Sequence, residues 1–230
     1  MAHLSDITSP DLARRRSALL VVPVGATEQH GPHLPLTTDT EIATALADGL
    51  DRERDDVVVA PAVAFGASGE HQAFPGTLSI GTTATELLLL ELGRSATETF
   101  DRVLFLSAHG GNAEAVNGAT ARLREEGRDV RAWAPRWDGD AHAGHVETSI
   151  MLVLAPERVR AHAATVGTVE PLGELLPRMR REGVAGVSAN GVLGDATTAS
   201  ADAGRTLLRV AAQDLRATVA RWDAERVGVV

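Results

Sequence analysis

The chain has 230 residues, 44% of them hydrophobic and 23% charged, with a formal net charge of −9. It holds no Cys, no Tyr and no Lys, which excludes disulfides, thiolate metal sites, a cysteine nucleophile, a lysine Schiff base and a P-loop lysine. The acidic balance argues against a nucleic-acid partner, which needs clustered positive charge. No apolar run approaches the ~18 residues of a membrane span.

The amino-terminal stretch is mixed and polar, without the apolar core of a signal peptide, so the cytoplasm is the default compartment. Arg14-Arg15-Arg16 reads as a solvated helix face. Residues 18–24 (ALLVVPV) read as a buried strand ending at Gly25. Residues 57–63 (VVVAPAV), 103–107 (VLFLS) and 130–134 (VRAWA) read as three more. Continuous apolar runs of this kind suit strands covered on both faces. Between them, residues 39–50, 83–100 and 112–126 carry apolar side chains at helical spacing. Two further helices are expected at 144–154 and 201–227, the last with Leu207, Leu208, Ala211, Leu215 and Val219 on one face. Strand–helix alternation predicts a parallel sheet with helices on both sides. With no repeat and no linker, residues 1–230 read as one domain.

Three long loops rich in Gly and Pro stand out, at 25–38, 65–81 and 183–200, and loops of this length inside a compact domain are usually functional or disordered. The first follows a strand and holds Glu28, His30, His33 and Asp39. Glu28 and His30 are two apart, on one side of an extended backbone. Asp39 is either a helix cap or a ligand. Imidazole and carboxylate without sulfur suit zinc, manganese or iron. The second cluster is His109-Gly110-Gly111-Asn112, at the carboxyl end of the third strand, where two glycines permit close backbone approach and an oxyanion pocket. The third is His142, His145 and Glu147, at the entry to a largely buried helix, where a buried Glu needs a metal or an Arg as partner. Glu70 and His71 lie in the 65–81 loop, and His71 is expected either to touch substrate or to brace the site. Trp133 reads as packing, and Trp137 as packing or a substrate wall. The 183–200 loop is a candidate lid or subunit contact.

Glu28-Gln29-His30-Gly31-Pro32-His33-Leu34-Pro35, Asp39, Phe74-Pro75-Gly76-Thr77, His109-Gly110-Gly111-Asn112, and His142-Ala143-Gly144 followed by Glu147-Thr148-Ser149 come in order along the chain. Together they resemble the creatininase family of metal-dependent amidohydrolases. The resemblance implies a three-layer α/β/α sandwich with a mainly parallel central sheet. It also implies two divalent ions per subunit, Zn, Fe or Mn, and a closed homo-oligomer such as a hexamer-like ring. Carried over, Glu28 and His30 bind opposite ions, Asp39 bridges them and His109 completes one. The family's Glu two residues after that His is Gly111 here, so Glu147 is assigned as the replacement ligand and a catalytic group. His142 is assigned as the proton donor, while His71, Gly110, Gly111, Asn112 and Trp137 are assigned to substrate. The expected reaction is amide or peptide hydrolysis by a metal-activated water. The expected substrate is a modified peptide that loses a C-terminal Val-Tyr-derived unit. The alternatives are a small cyclic amide or formamide, and a non-catalytic metal-stabilised assembly protein.

Overall fold

The computed structural model describes residues 2–15 and 18–227. Four strands, β1 (Leu19–Val24), β2 (Val57–Val59), β3 (Arg102–Ser107) and β4 (Val130–Trp133), form one sheet in the order β2-β1-β3-β4. Every pairing is parallel. The helices are α1 (Ser9–Leu12), α2 (Thr38–Asp51), α3 (Thr82–Ala96), α4 (Ala113–Glu125), α5 (His145–Leu154), α6 (Leu172–Glu182) and α7 (Ala201–Val227).

The two-residue period of the strands divides their apolar side chains between two cores. Leu19, Val21, Leu104 and Leu106 pack with Ile42 and Leu46 of α2, Ile150 and Met151 of α5, and Leu215, Val219 and Trp222 of α7. Leu20, Val22, Val103 and Phe105 face the other way, onto Leu89 and Leu90 of α3 and Val116, Ala119 and Leu123 of α4. The result is the three-layer α/β/α sandwich. The long apolar runs in the sequence follow from this double coverage.

Pro23 sits in a central strand, where a missing N–H would normally break the ladder. Here the neighbouring β2 has already ended at Val59, and the chain rejoins only when the Val63 N–H donates to the Pro23 carbonyl at 2.9 Å. Pro61 lacks a donor, which is why this strand stops short of residue 63. The helix expected at 83–100 ends at Ala96, and Gly110–Asn112 forms a 3₁₀ turn before α4. Neither α1 nor α6 was anticipated. An interior Pro177 reads as a helix breaker, yet α6 continues through it. Arg14 and Arg15 are exposed but follow α1 in a turn instead of lying on a helix face, and Arg16 lies outside the described residues. Among the described residues, no helix is long and apolar enough to cross a membrane.

Helix α7 lies close against α5. A Cβ on Gly204 would come within 1.9 Å of the Ser149 carbonyl oxygen. Gly204→Val should therefore force the helices apart and cost about 1–3 kcal/mol. An unchanged denaturant midpoint would contradict that close packing.

Candidate metal centre

The chain passes from β1 to β2 on one side and then crosses to β3 on the other. The crevice of such a sheet opens beyond the carboxyl ends of the strands where the order reverses, here between β1 and β3. The loop after β1 carries Glu28 and His30, and the residue two beyond β3 is His109. The first turn of α2 adds Asp39, and the first turn of α5 adds Glu147. His142 precedes α5, and His71 ends a 3₁₀ turn at Gly69–His71. All seven are buried.

These side chains converge. His30 Nε2 lies 3.3 Å from Asp39 Oδ1 and 3.6 Å from Glu147 Oε2. His109 Nδ1 lies 3.4 Å from Asp39 Oδ2, and its Nε2 lies 3.2 Å from Glu28 Oε2. His142 Nδ1 is 3.7 Å from Glu28 Oε1 and 3.9 Å from Glu147 Oε2. Asp39 is no helix cap: Thr37 holds that position, and the two Asp39 oxygens face different imidazoles. Ala143, between His142 and the helix, has φ +53°, a rare conformation for a residue with a Cβ. Its N–H donates to Glu147 Oε2 at 2.6 Å and so fixes that carboxylate.

The donor set is short of positive charge. His30 Nδ1 is 3.1 Å from the Glu28 carbonyl oxygen, which can only accept, so Nδ1 carries a proton and Nε2 is the nitrogen turned to the carboxylates. His109 Nε2 likewise meets the Ala67 carbonyl at 2.9 Å, leaving the Nδ1 lone pair toward Asp39. Among the described residues, both Glu28 oxygens, Asp39 Oδ2 and His30 Nε2 are buried without a hydrogen-bond partner. Buried acceptors that face each other need a cation between them. Among the described residues, three sets have ligand atoms within 4.8 Å of one another: Glu28, Asp39 and His109; His30, Asp39 and Glu147; and Glu28, His30 and His142. The residues present fit divalent ions.

Electrostatics agrees. Burial, reinforced by Asp39, pushes Glu28 up to about 8 and Glu147 up to about 7. Burial alone would lower His30, but the carboxylates of Asp39, Glu147 and Glu28 lift it to about 10. Before a cation binds, Glu28 and His30 therefore hold protons at neutral pH and Glu147 is partly protonated, and a metal must displace those protons. Metal affinity should rise with pH, by about tenfold per pH unit for each proton released. Chelator competition at pH 6, 7 and 8 measures this, and an affinity independent of pH would contradict it.

A pocket of about 290 Å³ opens onto the cluster. Its lining includes Asp39, His109, His142 and Glu147 beside Gly110, Trp133 and Trp137. Asn112 is turned elsewhere. Its amide accepts from the Ala67 N–H at 2.8 Å and donates to the Gly25 carbonyl at 2.9 Å, joining three loops. Gly111 sits so close to the Ala67 carbonyl and His109 that a Cβ would clash at 2.4 Å with each. His71 is buried, with Nε2 3.4 Å from Glu28 Oε1, so it braces that carboxylate. His145 points away, to Thr198 Oγ1 at 2.9 Å. Residues 191–194 are buried and bond with residues 141 and 142 as a short antiparallel bridge, so this part of the 183–200 loop is an internal brace. His33 lies behind the site, 2.7 Å from Thr148 Oγ1. Gln29 has the widest set of contacts here, yet the sequence reading leaves it without a role. A neutral amide neither ligates well nor titrates, and only its place between Glu28 and His30 marks it.

A match to the family described as "Creatininase: Creatinine amidohydrolase" spans residues 5–219. The chain belongs to the creatininase family. It is a metal-dependent hydrolase acting on C–N amide bonds. It is 51% identical to the mycofactocin precursor peptide peptidase of Mycolicibacterium smegmatis, over 92% of this chain and 88% of that protein. It is 47% identical to the protein of the same name from Mycobacterium tuberculosis, over 100% of this chain and 95% of that protein. A crystal structure of creatinine amidohydrolase superposes with a TM-score of 0.80 at 24% identity, covering 96% of this chain and 97% of the other. At that identity the likeness shows the fold.

Proposed function

We propose that this enzyme is a peptidase that cleaves the mycofactocin precursor peptide near its C-terminus and releases the modified Val-Tyr-derived unit. The reading is carried by the buried cluster of unpartnered carboxylate and imidazole atoms opening onto a pocket with two Trp side chains. The names and near full-length identity of the relatives support the substrate.

Glu28, Asp39 and His109 would hold one ion and His30, Asp39 and Glu147 the other, with Asp39 serving both through its two oxygens. When bound, Zn, Fe or Mn would supply the Lewis acidity that polarises the scissile carbonyl and lowers the pKa of water. His142 is held neutral by burial and by the neighbouring His30 and His71, so its Nδ1 is ready to accept a proton. It takes one from the attacking water and returns it to the leaving amide nitrogen. Trp133 and Trp137 wall the pocket, and Gly110 on its rim lets a substrate backbone approach. His142→Ala should keep both ions and lower turnover by about 10²–10⁴-fold. Loss of an ion in that variant would make His142 a ligand instead, in the set with Glu28 and His30.

A homo-oligomer is part of the same proposal. Leu172, Leu175, Leu176 and Met179 form an apolar stripe on α6, a helix with no buried residue, and such a stripe suits a second copy of the chain. The competing small-molecule reading draws support from a 29% identical creatinine amidohydrolase of Pseudomonas putida. Comparing kcat/KM for the modified precursor peptide and for creatinine separates the two. Preference for the peptide supports the proposal, and turnover of creatinine alone overturns it.

A further inference from the structure

The Gln29 side-chain amide has its orientation fixed by two backbone groups of opposite type. The Gly31 N–H can only donate, and it meets Gln29 Oε1 at 2.9 Å. The Gly191 carbonyl can only accept, and it meets Gln29 Nε2 at 3.0 Å. One N–H of the amide remains. Two imidazole nitrogens lie near it, His71 Nδ1 at 2.8 Å and His142 Nε2 at 3.1 Å. His142 Nε2 also lies 2.9 Å from the backbone carbonyl oxygen of Gln29, an acceptor only, so that nitrogen must carry a proton. The remaining amide N–H therefore goes to His71 Nδ1, which must be a bare acceptor.

We propose that Gln29 is a positioning residue that sets the tautomers of both histidines, His71 through its side-chain amide and His142 through its backbone carbonyl. The proposal rests on the metal-hydrolase reading of the adjoining site. With its proton on Nε2, His71 turns an N–H to the side of Glu28 Oε1, 3.4 Å away. With its proton also on Nε2, His142 turns the Nδ1 lone pair toward Glu28 and Glu147. Two similar imidazoles whose ring centroids are 4.4 Å apart thus present opposite faces to one site, a donor and an acceptor.

The same amide ties the tautomers to the internal brace. Gly191 has φ +77°, and a Cβ there would fall 2.0 Å from Gln29 Oε1, so glycine leaves room for the amide. The brace also holds the His142 backbone, through the Leu193 N–H donating to the His142 carbonyl at 2.8 Å. One short segment therefore fixes both the ring of His71 and the backbone of His142.

The test uses zinc-loaded protein with ¹⁵N-labelled histidine. Imidazole ¹⁵N shifts of the unmodified chain should place the proton on Nε2 of both His71 and His142. In Gln29→Glu the new carboxylate accepts, so the His71 proton should move to Nδ1. Both ions should remain, and kcat should fall about 10–100-fold, the usual effect of losing an outer partner of a metal site. Gly191→Ala, which displaces the amide without adding charge, should perturb the His71 shifts in the same way. A proton on His71 Nδ1 in the unmodified chain would overturn the assignment. So would Gln29→Glu with His71 shifts and kcat unchanged. The shifts are read whether or not any peptide is cleaved. An inactive but correctly protonated parent chain therefore counts against the peptidase reading, and not against the role of Gln29.

Discussion

Asp39→Ala is expected to remove at least one ion and to lower turnover by about 10³-fold or more, ~4 kcal/mol of transition-state stabilisation. The expectation follows from its two oxygens. One faces His30 and the other faces His109, so both triads proposed to hold an ion draw on this single carboxylate. Asp39 is also buried in the first turn of α2 without acting as the cap. A merely structural Asp would give a different result, with lowered stability but an unchanged metal content. Elemental analysis of the purified variant, run beside a thermal melt, separates the outcomes. Two ions per chain with full turnover would remove Asp39 from the site.

Glu147→Gln is the second large effect. The amide oxygen of Gln can still accept from the Ala143 N–H, so the start of α5 should keep its geometry. What disappears is the negative charge 3.6 Å from His30 Nε2. The ion shared with His30 and Asp39 should bind more weakly, and turnover should fall at least as far as the ~100-fold seen when outer partners of a metal site are lost. If the variant keeps both ions and normal turnover, the carboxylate missing at Gly111 is supplied from elsewhere. The nearest candidate by position is Glu70, whose Oε1 lies 2.6 Å from where a Gly111 Cβ would sit.

The sheet was legible because its inner strands β1 and β3 are covered on both faces, which gives the long apolar runs at residues 19–24 and 103–106. The candidate metal ligands were legible because carboxylate and imidazole side chains gathered at strand ends, where a parallel sheet opens its crevice. Other features depended on three-dimensional contacts. Nothing local in the sequence distinguishes Asp39 as a cap from Asp39 as a shared ligand, since both place a carboxylate in the first turn of a helix. Asn112 stands beside His109 in sequence, but its amide is engaged by Ala67 and Gly25 from two distant loops. Helix α6 carries an interior proline, so the breaker rule hid it although Leu172, Leu175, Leu176 and Met179 share one face. Gln29 was hidden for a chemical reason. Its role lies in which nitrogen of a neighbour holds a proton, a property that appears only when every backbone donor and acceptor around it is placed.

The central claim is that this buried cluster hydrolyses a peptide amide with bound metal. Mass spectrometry of the modified precursor peptide, incubated with metal-loaded protein and with protein stripped by a chelator, tests it directly. The predicted result is two products whose masses sum to the substrate plus one water, formed by the loaded protein, lost on chelation and restored by added zinc, manganese or iron. An intact substrate in the presence of fully loaded protein, or cleavage that survives complete metal removal, would contradict it.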